Sequence, residues 1–460
     1  MTKCKWTRKW MPLALATALV YPLVSCNEDT VDKVAYDPNK PIVCEKFYPE
    51  GGPISTQVIL TGQNFGSSTK LIKCYFNEKK APVIGVNDTH MLVLAPRLPG
   101  DSVVIKLMIG SVNGNDTIYQ ESKFDGTFAY EVRTNVSTIL GGDASATENS
   151  APNKGDAVTL AEAQFSSSFD NCIEVDKEKN IFFGFGELRY CANEEAGTVK
   201  NIDNPGTFLT VPGLLYDKYK DHVYHIQSNI ANGEYWWYDV DNDFAQTEKG
   251  EIVWDDTDFI PDGMAVWVAR RTSAMNPKDG CFYCRSYGGY LTRWNPETGA
   301  GENLSKIVGA GVGSTQGNTY GSVFLPSQPD MFYFSNDDLD CIFCVNLTTG
   351  TTKVYAGQTN NAGYLDGPLT QAQFNSPRQM CVDSEENIYV ADSGNHCIRK
   401  INTKTGYVST VAGIPQSAGY INGTSETAKF NNPIGLAIDS DDVLYVGDSS
   451  NHAIRRIAIE

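Results

Sequence analysis

The chain has 460 residues, of which 41% are hydrophobic and 20% are charged. This length permits two or three domains with sizeable cores, so it excludes a small disulfide-stapled protein, and the composition excludes a disordered chain. The formal charge of −18 is spread along the chain and would repel a phosphate backbone, so we expect no nucleic-acid partner.

Residues 1–25 have the layout of an export signal. Four basic residues between Lys3 and Lys9 precede an apolar run of 14 residues from Met11 to Val24. A run of this length suits a signal peptide and is too short to span a bilayer comfortably. Its removal would leave 460 − 25 = 435 residues with a charge of −18 − 4 = −22.

The end of this run resembles the lipobox of bacterial lipoproteins. Leu23-Val24-Ser25-Cys26 places small residues before a cysteine, and the resemblance implies cleavage before Cys26 and lipidation of its thiol. Residues 26–38 would then be a lipidated linker. Glu28 and Asp29 resemble the surface-export signal of some Gram-negative lipoproteins. We therefore expect a lipid-anchored protein of the outer membrane, exposed on the cell surface and touching the membrane through its lipid alone. The alternative is an ordinary secretory signal with a chance cysteine.

Residues 39–130 alternate short apolar runs with turn residues, which is typical of a β-sandwich. A proline-glycine turn at Pro49–Gly52 is followed by a strand and then by Gly62-Gln63-Asn64-Phe65-Gly66. This segment resembles the IPT/TIG domain, an immunoglobulin-like fold, and the resemblance implies a spacer or a module for protein contacts. We expect Gly62 and Gly66 to adopt positive φ at turns and Phe65 to fill the end of the sandwich.

Residues 131–460 contain an internal repeat. Ala356–Ile401 aligns without a gap with Ala412–Ile457 at an offset of 56 residues. Each copy predicts four strands, and four-stranded repeats of this length form the blades of a β-propeller. In the first copy the strands are expected near Gln379–Val382, Asn387–Ala391, Cys397–Ile401 and Val408–Ala412.

The repeat resembles the NHL family. The resemblance rests on Asn-x-Pro at Asn375, on Ile388–His396 and on the Ile-Arg-Lys-Ile run that begins at Ile398. Degenerate copies precede it, beginning near Ala163 and spanning about Phe208–Trp254, Pro261–Gly309 and Gly321–Gly357. The predicted fold is therefore all-β, with an N-terminal IPT/TIG-like β-sandwich followed by a six-bladed NHL-type β-propeller.

The last blade lacks its fourth strand, because the chain ends just after the third. Val136–Gly141 closely copies Val408–Gly413, which is a fourth strand. We therefore predict that residues 134–141 complete the last blade and close the ring, which removes exposed sheet edges. Deleting these residues should leave a strand unpaired and make the protein prone to aggregation.

The cysteines are expected to be buried thiols. Two Cys-x-x-Cys pairs lie inside predicted strands, where positions i and i+3 face opposite sides, whereas zinc sites need turns there. These pairs are Cys281/Cys284 and Cys341/Cys344. A disulfide between Cys44 and Cys74 in the sandwich stays open as an alternative. The alternating Asp239, Asp241 and Asp243 lack the rest of a calcium loop, so we predict a solvated turn and neither a metal nor a cofactor.

The histidines follow the repeat instead of converging on one site. His396 and His452 fall in the turn between the second and third strands, which the resemblance to NHL repeats implies is structural. Asp392 and Asp448 are expected to accept backbone hydrogen bonds there.

Aromatic residues are concentrated in blades two and three, which hold all five tryptophans of the mature chain. Neighbouring residues on a strand face opposite sides, so some rings of Tyr235–Tyr238 leave the blade interface. Flat aromatic faces beside carboxylates and amides suit sugar rings. The candidate ligand-binding residues are therefore Tyr235, Trp236, Trp237, Tyr238 and Trp294, and the alternative is that these rings pack between blades.

These features predict a cell-surface lipoprotein that acts as a binding module, for a glycan or within glycan-uptake machinery, with a glycan or a peptide as its ligand. One alternative is a propeller enzyme, a lyase or hydrolase, with a funnel on the top face lined by Gly357–Phe374 and Gly413–Phe430. No nucleophile elbow or phosphate-binding loop is evident in the sequence. The other alternative is a scaffold for protein partners in the envelope.

Overall fold

Alternating apolar positions and frequent turn residues fold the chain into β-sheets throughout. The computed structural model describes residues 34–97, 102–114, 116–142, 152, 155–165, 169–185, 188–203, 213–227, 234–247, 250–254, 273–285, 291–304 and 320–459. The predicted signal peptide and Cys26 lie outside these residues. Within them, the only helices are three-residue 3-10 turns, and none is long and apolar enough to cross a membrane. The chain divides into two compact units, Met1–Glu131 and Val132–Glu460.

The first unit forms a β-sandwich. Its two main sheets have the strand orders β1-β3-β7-β6 and β5-β4-β8-β9, and β2 pairs with β10 in a parallel ribbon. One apolar cluster takes buried side chains from both main sheets, because alternate residues of each strand face inwards. The strands are β1 (Val43–Tyr48), β2 (Gly51–Gly52), β3 (Gln57–Gln63), β4 (Ile72–Phe76), β5 (Lys79–Ala81), β6 (Val83–Val86), β7 (His90–Leu94), β8 (Ile105–Asn113), β9 (Asp116–Lys123) and β10 (Ala129–Tyr130).

The glycine-rich turn of the sandwich differs in part from the prediction. Phe65 is buried in the core and Gly66 has a φ of 69°, as expected. Gly62 instead lies within β3, and a Cβ there would collide with the Val43 carbonyl and the Phe65 ring. Gly62 is therefore required by close packing, and the second positive φ belongs to Asn64, at 64°.

The second unit consists of six sheets within the described residues, numbered here in chain order, together with β11 (Thr134–Gly141). Sheet one contains β12 (Ala157–Thr159), β13 (Phe169–Val175), β14 (Asn180–Phe185), β15 (Leu188–Asn193) and β16 (Thr198–Asp203). Sheet two contains β17 (Gly213–Asp217), β18 (His222–Gln227), β19 (Glu234–Asp239), β20 (Ala245–Gln246) and β21 (Gly250–Glu251). Sheet three contains β22 (Val253–Trp254), β23 (Ala274–Met275), β24 (Phe282–Arg285), β25 (Leu291–Trp294) and β26 (Ala300–Asn303).

Sheets four to six complete the series. Sheet four contains β27 (Ser322–Leu325), β28 (Gln328–Asn336), β29 (Cys341–Asn346) and β30 (Thr352–Gly357). Sheet five contains β31 (Gly367–Pro368), β32 (Pro377–Val382), β33 (Ile388–Asp392), β34 (Cys397–Asn402) and β35 (Tyr407–Ala412). Sheet six contains β36 (Gly423–Thr424), β37 (Pro433–Ile438), β38 (Leu444–Asp448) and β39 (Ala453–Ile459).

Four of the sheets gain a short outer strand that the four-strand prediction did not include. These strands, β12, β22, β31 and β36, pair with the last long strand of the same sheet. Because Val253–Trp254 pairs with β26, Trp254 belongs to sheet three and not to the second blade, where the sequence placed it.

Consecutive sheets are held together by apolar clusters. The first long strand of each sheet contacts that of the next, in the order β13, β17, β23, β27, β32, β37 and back to β13. A buried cluster joins every neighbouring pair, including sheets six and one. Representative pairs are Phe182 with Trp236, Tyr224 with Trp294, Tyr283 with Phe324, Tyr333 with Phe374, Tyr389 with Leu436, and Tyr445 with Ile173.

The segment 134–141 pairs where the sequence predicted. β11 runs antiparallel to β39 and lies between β39 and β36. A bulge in this pairing falls between Thr138 and Leu140, and β35 has a bulge at the equivalent place, between Thr410 and Ala412. The copied sequence therefore keeps both the strand and its irregularity. A closed ring of six blades is our interpretation of these pairings.

Candidate functional site

A cavity of about 580 Å³ lies where the first long strands of the six sheets converge, and we call it the axial cavity. Each sheet contributes to its wall because the edges of these strands face the axis of the second unit. Its lining includes Glu174–Lys177, Leu214–Tyr216, Ser273–Met275, Tyr320–Phe324, Gln379–Ser384 and Leu436–Ser440. The volume is that of a small-molecule pocket.

The axial cavity extends towards the turns that join the first and second long strands of the sheets. Lys177, Lys218, Pro326 and Ser384 line it at these turns. The loops Gly357–Phe374 and Gly413–Phe430 enter the opposite ends of the first strands and are absent from its lining. The predicted top-face funnel therefore does not coincide with the axial cavity.

Gln379 ties three sheets together beside the cavity. Its Nε2 donates to the Ile173 carbonyl at 2.9 Å, and its Oε1 accepts from the backbone N–H groups of Ile173 and Leu436, both at 3.0 Å. Only 8% of Gln379 is exposed, so these bonds satisfy backbone groups that are out of reach of water. The repeat places Gly435 at the equivalent position. Sequence reasoning missed Gln379 because the repeat does not preserve it.

Glu174 is the acidic group that stands out in the cavity wall. Its neighbours on β13, Ile173 and Val175, are buried in the cluster between sheets six and one. Glu174 itself lies outside that cluster, lines the cavity and makes no hydrogen bond or ion pair with another described residue. Burial raises its pKa to about 8. Burial, Asp383 and Glu174 together raise the pKa of the Cys381 thiol across the cavity. A carboxyl group in this setting is a candidate for ligand recognition or proton transfer.

Three other carboxylates of the lining serve to build turns. Asp176 accepts from the backbone N–H groups of Glu178 and Asn180 at 3.0 and 2.8 Å. Asp383 accepts from the N–H of Asn387 at 2.7 Å, and Asp439 occupies the equivalent position in sheet six. These bonds recur at the same turn of different sheets, so the three aspartates have a structural role.

Four of the five predicted ligand-binding aromatic residues are packed in the interior. Tyr235 and Trp294 have ring centroids 4.8 Å apart in the cluster between sheets two and three. Trp236 stacks on the His225 ring at 4.3 Å, and Tyr238 donates or accepts a hydrogen bond with His225 Nδ1 at 2.9 Å. No more than 8% of any of the four is exposed, so they offer no open face to a sugar. These four rings therefore pack between sheets, which is the alternative that the sequence had left open.

Trp237 differs from these four because it is half-buried. Its ring stacks on the ring of His222 with a centroid distance of 3.7 Å and an interplanar angle of 4°. Trp237 is not part of the axial cavity lining. Of the five aromatic residues predicted to bind a ligand, Trp237 is therefore the one whose ring is partly accessible. Trp267, another tryptophan of blade three, lies outside the described residues.

The histidines of the second unit are spread over separate structural positions. His396 and His452 adopt left-handed backbone at φ of 56° and 50° in the turns after the second strands. His396 Nδ1 accepts from the N–H of Asn432 at 3.0 Å, and His452 Nδ1 donates to the Phe165 carbonyl at 3.0 Å. Both bonds join neighbouring sheets, and neither ring lines the axial cavity.

A buried ion pair follows each of these turns. Asp392 and Arg399 are 2.7 Å apart, as are Asp448 and Arg455, and all four side chains are fully buried. Asp392 also accepts a backbone hydrogen bond, from the N–H of Asn375 at 2.8 Å, and this donor precedes β32 instead of lying in the turn that the sequence predicted. Burial raises the pKa of Asp392 and of Asp448 to about 6, against the opposing effect of the arginines.

The described cysteines are free thiols, including Cys44 and Cys74, so the structure contains no disulfide between those two. The side chain of Cys284 lies outside the described part, which leaves one Cys-x-x-Cys pair, Cys341 and Cys344, both buried. Asp239 caps the 3-10 turn Val240–Asn242 instead of joining a calcium loop. Among the described residues no cluster of three metal-binding side chains is found.

Comparison with known families agrees with this architecture. Residues 42–130 match the family model of the IPT/TIG domain, and residues 374–401 and 430–457 match that of the NHL repeat. The chain carries an IPT/TIG domain followed by NHL repeats. The family matches thus cover the sandwich and the first three long strands of sheets five and six, while sheets one to four are recognised by their pairing alone.

The curated relatives share the repeats. Human NHL repeat-containing protein 2 is 28% identical over 174 residues, which are 34% of this chain and 24% of that protein. The bovine protein of the same name is 29% identical over 136 residues, which are 28% of this chain and 19% of that protein. The chain therefore spans a quarter or less of these relatives.

Solved structures extend the likeness to nearly the whole chain. A protein of unknown function from Bacteroides thetaiotaomicron has a TM-score of 0.71 and 26% identity, covering 93% of this chain and 100% of its own. An auxiliary nutrient binding protein from Bacteroides ovatus has a TM-score of 0.57 and 21% identity, with 93% and 100% covered. The second likeness shows the fold of the two units.

Proposed function

We propose that this protein is a binding protein that takes a small sugar into the axial cavity, and that a lipid on Cys26 displays it on the surface of the outer membrane. The observation that carries the proposal is the cavity itself, which is walled by strands of six sheets and contains an unpaired carboxyl group at Glu174. A wall built from strands holds its side chains in fixed positions, which favours specific recognition.

The chemistry of the lining supports a polar ligand. The Tyr216 ring and the Ser322 hydroxyl line the cavity beside the Glu174 carboxyl group, whereas the Arg378 guanidinium lies 3.8 Å from the centre of the Tyr320 ring and the Ser384 hydroxyl already donates to Asp442. Such a mixture of flat apolar surface and hydrogen-bonding groups matches the two kinds of surface on a sugar ring. The solved protein from Bacteroides ovatus, whose fold this chain shares, is described as an auxiliary nutrient binding protein.

A binding assay on the mature chain tests this function. We expect calorimetric titration with a panel of mono- and disaccharides to find at least one ligand, whose affinity falls at least tenfold in Glu174→Gln. Glu195→Gln makes the same change at an exposed turn of sheet one and serves as the control. If no sugar binds, or if Trp237→Ala abolishes binding while Glu174→Gln does not, the axial site is wrong.

The lipid anchor needs a separate test. Wild-type protein should incorporate labelled fatty acid and be cleaved by protease added to intact cells, whereas Cys26→Ser should carry no label. A wild-type chain that carries no label and is released from the cell would support the ordinary secretory signal instead.

An enzyme that uses the same cavity is the second candidate, and Glu174 is the observation that favours it. A carboxyl group with a pKa near 8 holds a proton at neutral pH and can act as a general acid. Analysis of each titrated sugar for products distinguishes the two functions, because a binding protein returns its ligand unchanged.

A further inference from the structure

We propose that the ligand of the axial cavity carries a protonated amine, as an amino sugar does, and that this amine pairs with the Glu174 carboxylate. The inference rests on the proposed function and names the chemical class of its ligand.

Carboxylates outnumber cations in the lining. Two lysines, Lys177 and Lys218, line the axial cavity. The acidic side chains are three times as many: Glu174, Asp176, Asp383, Glu386, Asp439 and Asp442. A cleft lined by one sign of charge concentrates ligands of the opposite sign, so this cavity attracts cations.

The lysines reduce this excess only slightly. Lys177 forms an ion pair with Asp221 outside the lining, with Nζ and Oδ2 at 2.8 Å. Lys218 is exposed at the turn after β17 and forms no ion pair within the described residues. Neither lysine forms a hydrogen bond or ion pair with Glu174.

Five of the six acidic side chains already have partners. Asp176, Asp383 and Asp439 hold their turns, as described above. Asp442 accepts from the N–H and hydroxyl of Ser384 at 2.8 and 2.6 Å, and Glu386 accepts from the N–H of Ser327 at 2.9 Å. Glu174 is therefore the acidic group of the lining whose oxygens are left for a ligand.

The other groups around Glu174 do not offer it a positive charge. In the lining, sheet five contributes the Cys381 thiol and Asp383, β17 contributes Tyr216, and sheets four and six contribute Tyr320 and Asp439. The nearby Arg378 stacks on the Tyr320 ring at 3.8 Å and is already paired with Asp337 at 3.2 Å, outside the lining. A buried carboxylate without a counter-charge is costly, which agrees with the raised pKa of Glu174. A bound ammonium group would supply both the counter-charge and hydrogen-bond donors, and such charge-assisted bonds are the strong ones.

This arrangement predicts that binding releases a proton. Near pH 6.5 the free Glu174 is largely protonated and the ligand amine is charged, so pairing drives the proton of Glu174 into the buffer. A sugar that carries a hydroxyl or an N-acetyl group in place of the amine would leave Glu174 protonated. Proton release therefore separates the amine-bearing class from neutral sugars.

The experiment uses matched sugars and the full mature chain. Glucosamine, N-acetylglucosamine and glucose, with the corresponding galactose and mannose series, are titrated calorimetrically at pH 6.5 in two buffers of different ionisation enthalpy. We expect an amino form to bind at least tenfold more tightly than its N-acetyl and hydroxyl forms, and to release up to about one proton. Glu174→Gln should lose both the preference and the proton release, and Glu195→Gln should keep both.

Each other outcome overturns the inference in a recognisable way. If neutral forms bind as tightly as amino forms, or if Glu174→Gln keeps the amino preference, the ligand class is wrong and the proposed binding function stands. If none of the nine sugars binds, the inference fails, and the wider panel of mono- and disaccharides decides whether the sugar-binding function fails with it. If Glu174→Gln loses binding of every form, and its circular dichroism and melting temperature show that it is folded, Glu174 is a general contact and not an amine-specific one.

Discussion

Glu174 combines two properties that rarely occur together, a partly buried carboxyl group and no protein partner among the described residues. No sequence pattern singles it out, because sheet one is a degenerate copy in which β13 has no clear counterpart in the repeats. A charged residue between the apolar Ile173 and Val175 is typical of the solvated face of a strand. Only the convergence of six strands shows that this face lies against the axial cavity.

The stability of the second unit should depend on the charge of Glu174. Its pKa in the folded chain, about 8, lies above its value in the unfolded chain, so the folded state binds the extra proton. The contribution to stability is complete below about pH 4.5 and is lost as the pH rises through about 8. Glu174→Gln mimics the protonated form, so the variant should lie within about 1 kcal/mol of wild type at pH 5 and exceed it by about 4–5 kcal/mol at pH 8.5.

Urea unfolding at the two pH values, followed by tryptophan fluorescence, measures this difference. The five tryptophans after residue 25 all lie in the second unit, so the signal of a chain that begins at Cys26 reports on the unit that holds Glu174. Glu195→Gln should show no pH-dependent difference. An equal offset of Glu174→Gln from wild type at both pH values would mean that Glu174 does not titrate in this range.

The adjacent tryptophans Trp236 and Trp237 should respond differently to truncation. Trp236→Ala removes a ring that is 2% exposed and leaves a cavity between sheets one and two, which should cost about 3–5 kcal/mol. Trp237→Ala removes a half-buried ring stacked on His222, and its cost should be about 1 kcal/mol. Thermal and urea unfolding by circular dichroism compares the two. Equal losses would show that the packing differs from that described.

Residues fixed by the repeat were predictable one by one, whereas those on the axis were not. Asp392 is shared by both NHL copies, so its structural role could be predicted from the alignment. Gln379 is replaced by Gly435 in the second copy, and its three bonds to other sheets depend on where the first strands of different sheets meet. Periodic signals describe contacts within a blade, and the axial cavity is formed by contacts between blades.

At the scale of elements, β11 joins residues that are far apart in the sequence. Val136 is buried in the cluster between sheets five and six, and Leu140 in the cluster between sheets six and one. The bulge between Thr138 and Leu140 changes the side of the strand that faces inwards, which lets one strand serve both interfaces. This element was predictable because its sequence copies a complete strand of the repeat.

A charge on the inner face of β11 tests its role more sharply than deleting the strand. Val136→Asp would bury an unpaired carboxylate in the cluster between sheets five and six and should destabilise the second unit by about 3–5 kcal/mol. Ser137→Asp places the same side chain one residue along, where the native side chain is exposed, and should have little effect. Melting temperature and size-exclusion chromatography provide the measurement. A Val136→Asp variant as stable and monodisperse as wild type would contradict the ring closure that we infer.

Polar links join neighbouring sheets at each interface, and in every link at least one partner lies in a turn between a first and a second strand. Glu386 and Asp442 occupy equivalent positions of the two NHL copies, and each accepts from a serine of the preceding sheet, whereas the four lysine links do not recur. Exposed pairs of this kind contribute little each, so apolar packing dominates the cohesion of the ring. The links are Lys177 with Asp221, Lys220 with Glu297, Lys278 with Asp330, Ser327 with Glu386, Ser384 with Asp442, and Lys179 with Asp441.

At the scale of the whole molecule, the order of units could be predicted from two sequence patterns, the glycine-rich turn of the sandwich and the repeat of 56 residues. The axial cavity could not be predicted from the sequence, because composition draws attention to clustered aromatic residues such as Tyr235–Tyr238. Large aromatic side chains in a propeller are also what fills the wedge between blades, and in this chain four of the five candidates do so.

The most direct test of the axial cavity is a crystal structure of the mature protein with the tightest sugar of the panel bound. We predict electron density for the sugar between the first strands of the six sheets, with a ligand nitrogen within hydrogen-bonding distance of the Glu174 carboxylate. Density over the Trp237 ring or on the sandwich, with the axial cavity free of ligand, would contradict the account.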